Sequence, residues 1–140
     1  MLCCASHRWA RRLTAHRPYP DLGALLAAAD EAAYDLTPAD LGEALALERA
    51  ARPPALPSLA AHTAWQAANA AYESRFGHVF VVCLDAYEPS EHLDQVLAGI
   101  RTRLSHGRDE ELVVTAEELR KLARGRLTRL SRRTLSTAQR

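Results

Sequence analysis

Arg126 is the residue whose type and position first suggest chemistry. It falls seven residues after Leu119 and four after Leu122, on or beside the apolar stripe of the last helical segment. An arginine in such a place is rarely buried without an anionic partner. Its guanidinium can grip a carboxylate with two parallel hydrogen bonds, or it can close a structural ion pair and lay its stem along the core edge. The acid–base candidates are six histidines: His7, His16, His62, His78, His92 and His106. None forms an HExxH, an HxH or a paired i, i+4 metal site. Cys3 and Cys4 are adjacent and Cys83 stands alone, which gives neither a CxxC redox pair nor zinc-ligand spacing. Such cysteines read as small buried hydrophobes. GxSxG, GxGxxG and P-loop patterns are missing too, so serine-hydrolase, dinucleotide and nucleotide chemistry have no motif behind them. No metal and no cofactor is expected.

The elements that must position these residues are helical. Ser6 opens a first helix, with Trp9 and Leu13 one turn apart, that ends before Pro18. Asp21 caps a second, in which Leu22, Leu25, Leu26, Ala29 and Ala33 recur at helical spacing. Thr37-Pro38-Ala39-Asp40 opens a third, with a cap, a proline at the first helical position and an acid near the positive dipole end. Three prolines in Arg52–Pro57 forbid a helix there. Ser58 starts a fourth, with Ala61, Trp65, Ala68, Tyr72 and Phe76 on one stripe and Gly77 closing it. Val79–Leu84 is the one β-like run; a solitary strand makes no sheet, so a buried extended segment or a helix start is expected. Ser90 is placed to cap a fifth helix that Gly107 ends. The last should run from about Asp109 to Arg132, with Leu112, Ala116, Leu119, Ala123, Leu127 and Leu130 inward. Thr115-x-x-Glu118 resembles a capping box, which allows a kink or restart. The expected fold is all-α: a single-domain bundle of about six helices over residues 1–140, with a basic tail from about residue 132.

Composition agrees with a globular chain. Of 140 residues, 48% are hydrophobic and 25% charged, which is wrong for disorder. No run approaches the ~20 apolar residues that span a bilayer, and Arg8, Arg11 and Arg12 interrupt any secretory signal. A cytoplasmic protein is the expectation. The net charge of +1 hides an imbalance: the two ends total +12 and the middle −11. Basic ends can bind nucleic acid, but no aromatic residue interleaves with the C-terminal arginines, which argues against a nucleic-acid partner. Pairing with the acidic middle of the same or a neighbouring subunit accounts for the pattern instead.

Three segments together resemble one family. Cys3-Cys4-Ala5-Ser6-His7-Arg8-Trp9, with Arg17-Pro18-Tyr19, resembles the "CC-x-S-x-RW … RPF" opening of the 2-oxo-4-hydroxy-4-carboxy-5-ureidoimidazoline (OHCU) decarboxylases. Asn69-Ala70-Ala71-Tyr72-Glu73-Ser74-Arg75-Phe76-Gly77-His78-Val79-Phe80 is similar to their "N-x-AY-x-x-RFG-x-x-F" signature, the most specific of the three. Glu117 to Leu127 resembles their "E-x-x-KI-x-x-LRL" ending. The resemblance implies a divergent member of an all-helical, usually homodimeric family of urate breakdown. That family decarboxylates OHCU to (S)-allantoin without metal or organic cofactor. It further implies that Arg126 and the backbone of His78, Phe80 and Val81 hold the substrate.

The family's acid–base histidine, in an "HPRIG"-like motif, has no counterpart: aligned without gaps from Glu43, its position holds Glu48. The "S-x-x-EQ" glutamate motif is absent as well, because the segment between the third and fourth helices is shorter. Glu48, or His62 near that segment, is therefore expected to handle the proton. The alternative is a non-catalytic relative that keeps the scaffold and binds a ureide or a protein partner.

Overall fold

Four of the helices begin on a residue whose side chain satisfies the orphan N–H groups of the first turn. In the computed structural model, which describes residues 3–54 and 56–138 with side chains through residue 134, Ser6 Oγ accepts from the Trp9 N–H at the head of α1 (His7–Ala15). Asp21 does the same for Ala24 in α2 (Leu22–Tyr34). Thr37 and Asp40 bond reciprocally across the first turn of α3 (Pro38–Ala46). Ser58 caps α4 (Leu59–Phe76), which closes on Gly77 at φ +80, a left-handed conformation that glycine adopts without strain. α5 (His92–Arg103) and α6 (Arg108–Ala138) follow. Among the described residues there are six α-helices, a single 3-10 turn at Pro89–Glu91 and no strand. The fold is all-α, as the periodicity requires.

Three local expectations are corrected. Ser90 caps nothing: it lies inside the 3-10 turn, where the Glu91 carboxylate accepts from the Glu88 N–H (2.9 Å), and α5 starts at His92. α6 does not restart at Thr115, since one helix runs from Arg108 to Ala138; the threonine is fully buried in mid-helix and bonds side chains instead of capping. Leu130 keeps its place on the stripe but is 48% exposed, because the stripe outlasts the residues that cover Leu119, Ala123 and Leu127. The Val79–Leu84 run belongs to no helix and pairs with no strand, yet Phe80 and Val81 are buried. The basic tail is helical as far as Ala138, and its last two residues lie outside the described ones.

The chain divides into two compact units: Glu48–Thr115, and the remainder on either side of it. In the second of these, α1 packs on α2, and Trp9 fixes the contact by donating its indole N–H to the Ala29 carbonyl (3.2 Å). Cys3, Cys4, Leu13, Leu26, Ala32, Leu41, Ala44 and Leu45 are buried in the same unit. Asp30 on α2 accepts from Arg120 (2.9 Å) and Arg124 (2.7 Å) of α6, tying the two helices electrostatically. The Glu48–Thr115 unit has its own apolar centre of Tyr72, Phe80, Val96 and Ile100, flanked by Trp65, Phe76 and Leu104.

Candidate functional site

Arg126 is half-buried on α6, and one guanidinium nitrogen donates to the Cys3 carbonyl at 3.1 Å. The stripe position thus has a structural component that spacing alone left open. Beside it lies a small cavity of about 40 Å³ lined by Cys3, Arg126, Arg129, Leu130 and Arg133. The three arginines recur at i, i+3 and i+7, so they share one helix face. Burial pushes the Cys3 thiol up, against the opposing charges of Arg126 and Arg129, which keeps the sulfur protonated and a poor nucleophile. What the pocket offers is positive potential and forked N–H donors, the equipment for a carboxylate or a ureide oxygen.

The other expected site residues lie in the Glu48–Thr115 unit. Phe80 is fully buried, its ring edge-on to Tyr72 with centroids 5.2 Å apart, so its side chain serves the core. Val81 is buried as well, and its carbonyl accepts from Arg103 at 2.6 Å. His78 sits between them and the end of α4: its ring meets Tyr72 edge-on at 5.6 Å, and Nδ1 is 2.9 Å from the Val79 carbonyl. His62 is elsewhere on α4, stacked on Trp65 with centroids 6.3 Å apart. Ten residues separate it from Tyr72, about 15 Å of helix, so it is not gathered with His78, Phe80 and Val81. Glu48 is the partly buried first residue of the unit, in the connection after α3. Trp65, which His62 covers, donates to the Ala51 carbonyl (3.0 Å) and lies under Arg52 (5.4 Å).

One polar cluster escaped the sequence reading altogether. Arg103, at the end of α5, donates Nε–H to Glu111 Oε1 (2.6 Å), a second nitrogen to Val81 O and the third to Thr115 Oγ1 (3.0 Å). Tyr72 donates its hydroxyl to the same Glu111 oxygen (2.5 Å), and His106 Nδ1 lies 3.0 Å from the other. The side chains of Arg103 and Glu111 are only 7% and 1% exposed. Burial by itself pushes the Glu111 carboxyl up, but the hydrogen bonds from Tyr72 and Arg103, the Arg103 charge and the His106 bond outweigh it and hold the group below its usual range. Burial, and then the bond to Glu111, push the Tyr72 phenol up to about 12. The signal was present in the spacing: Arg103 follows Val96 and Ile100 at +7 and +3, and Glu111 precedes Thr115 and Leu119 at −4 and −8. Each charge therefore sits on a buried stripe, and each needs the other.

Among the described residues no group of three His, Cys, Asp or Glu side chains converges to hold a metal ion, and no helix is long and apolar enough to cross a membrane. Among the described residues the fold is all-α, with an arginine-lined cavity beside Cys3. The model of the OHCU decarboxylase family matches residues 1–48 and 48–128, and the chain belongs to that family. The two matched pieces meet at Glu48. A crystal structure of OHCU decarboxylase in the presence of (S)-allantoin is similar over 91% of this chain and 93% of its own, with a TM-score of 0.77 and 21% identity. A crystal structure of (S)-allantoin synthase is similar over 83% of this chain and 40% of its own, with a TM-score of 0.64 and 21% identity. At these identities the likeness establishes the fold. No curated protein matches the sequence.

Proposed function

We propose that the protein decarboxylates OHCU to (S)-allantoin without metal or organic cofactor. The observation that carries this reading is the family match, which extends through residue 128 and so includes Arg126 beside its arginine-lined cavity. The similar structure determined in the presence of (S)-allantoin supports a ureide as the ligand. In this reading Arg126 holds the anionic substrate, and the backbone of His78, Phe80 and Val81 supplies further polar contacts. The carboxylate leaves as CO₂, its bonding electrons remain on the ring carbon, and the imidazoline system delocalises them. A proton delivered to one face then sets the configuration. Glu48 or His62 delivers it. The protein works as a cytoplasmic homodimer, to be checked by light scattering against the 15.4 kDa chain mass.

A second reading, ureide binding without turnover, is favoured by one observation: the family match is interrupted at Glu48. Positioned acid–base groups supply ~10²–10⁴-fold in rate, so their loss leaves little to outpace spontaneous decay. Freshly generated OHCU, followed by circular dichroism for (S)-allantoin, separates the two. Formation of (S)-allantoin well above the uncatalysed rate supports decarboxylation; binding of allantoin without acceleration supports the second reading; neither result refutes both.

Arg126→Lys tests the anion site. Losing the forked donor should weaken allantoin binding by ~1.5–3 kcal/mol, the range for hydrogen bonds involving charged groups. Loss of the bond to Cys3 O, made by the same charged donor, destabilises the fold by about 1.5–3 kcal/mol at most. Titration calorimetry beside thermal melts reads both, and a stability loss with unchanged binding ends the claim that Arg126 is a ligand residue.

A further inference from the structure

We propose that Arg103 is the positioning residue of the candidate ligand-binding segment, holding the backbone of residues 78–81 in the conformation that meets the substrate. This rests on the reading above, in which that backbone contacts the ureide.

The segment is unusual in what does not hold it. It belongs to no helix and no strand, and among the described residues the N–H groups of Phe80 and Val81 find no acceptor, although both residues are almost fully buried. Buried backbone N–H groups are nearly always paired, and an exception calls for an explanation such as a ligand. With no ladder to fix it, a run of this kind keeps its shape only through side chains. Three such restraints are present, one of them the His78 ring, whose Nδ1 lies 2.9 Å from Val79 O. The Phe80 ring is packed against Tyr72 and lies so close to α5 that a methyl group on Gly99 would stand 3.1 Å from its tip. The third restraint is Arg103.

Arg103 is built to hold one carbonyl at one place. Its guanidinium donates to Val81 O at 2.6 Å and stacks over the Phe80 ring at 4.4 Å, so it touches the segment from two directions. Its remaining donors are taken by Glu111, Thr115 and Tyr72, three side chains from two helices, which leaves the planar fork no freedom to rotate. Glu111 is itself pinned by the Tyr72 hydroxyl and His106. A simple core ion pair has no need of a bond to a loop carbonyl as short as the bond to its own carboxylate, yet both are 2.6 Å here. Fixing Val81 O fixes the peptide plane it shares with the Val82 N–H, and the stacked Phe80 ring restrains the preceding residue, so together they hold the run that carries the unpaired N–H groups.

The test uses the intact chain, with (S)-allantoin as probe. Arg103→Lys retains the charge but loses the fork; Ile100→Val thins the same core but removes none of Arg103's hydrogen-bond partners. Titration calorimetry, thermal melts and amide hydrogen exchange at residues 78–81 are measured for both. Arg103→Lys is expected to bind allantoin at least tenfold more weakly and to exchange these amides at least tenfold faster. Ile100→Val, compared at the same distance below its own melting temperature, should match the unaltered protein in both respects. Unchanged binding in Arg103→Lys, or a loss that merely follows melting temperature in both variants, overturns the proposal. If the unaltered protein binds no allantoin, the functional reading itself fails and the ligand role of Arg103 goes with it.

Discussion

Glu111→Gln is the perturbation whose consequence follows most directly from the geometry. The substitution preserves shape and removes one charge. Glu111 Oε1 receives both Arg103 and Tyr72, at 2.6 and 2.5 Å, and Oε2 faces His106. In the variant the amide oxygen can still accept from Arg103 and Tyr72, while its NH₂ must face His106 Nδ1. The Arg103 guanidinium, 7% exposed, then stays buried without a counter-charge. Removing one partner of such a pair costs about 3–5 kcal/mol, a large share of the ~5–15 kcal/mol that stabilises a domain. At roughly 3 °C per kcal/mol for a chain of this size, the melting temperature should fall by about 9–15 °C. Thermal melts by far-UV circular dichroism measure it. The pH dependence has a fixed sign. Because the fold lowers the pKa of Glu111, its contribution is complete above the ordinary carboxyl value of 4.5 and is lost as pH falls through the lower folded value. The stability gap between the two proteins should therefore narrow below about pH 4.5. Arg103→Met combined with Glu111→Leu should recover most of the loss, since an apolar pair carries no uncompensated charge. A single variant melting within 2 °C of the unaltered protein would refute the reasoning.

Three further outcomes are expected. Because the Tyr72 pKa is raised to about 12, its contribution to stability is intact below pH 10 and lost as pH rises through 12; a difference spectrum at 295 nm against Tyr72→Phe in which the Tyr72 phenolate forms near pH 10 contradicts this. Asp30→Asn, which discharges the acceptor shared by Arg120 and Arg124, should cost about 1 kcal/mol, and the difference should shrink in melts at 1 M salt, where the Debye length is about 3 Å. Gly77→Ala should cost about 1–2 kcal/mol, because φ is +80 at that position and a Cβ there meets the following carbonyl; denaturant midpoints check it.

What the sequence determined alone is local. Ser6, Asp21, Thr37 and Ser58 stand three residues before the N–H groups they satisfy, so their capping is readable without knowing the fold. Gly77 ends α4 for an equally local reason, and the motif around it carried the family. The stripe of Leu119, Ala123 and Leu127 was legible because a helix repeats every 3.6 residues, and Arg126 beside it followed. Where local rules competed, they misled: Ser90 lost its cap to a 3-10 turn, and Thr115 left a capping box for a buried partnership. Tertiary structure alone decided the rest. Val81, Tyr72 and Arg103 are 22 and 31 residues apart along the chain, and no pattern of short period encodes such a meeting. Only the folded chain shows that two charges on two apolar stripes are one ion pair, or that Arg126 shares a cavity with Arg129 and Arg133. The reason is energetic. A cap satisfies groups within one turn, whereas a buried charge is tolerable only if distant segments deliver its partner, and which segments arrive is settled by the packing of the whole core.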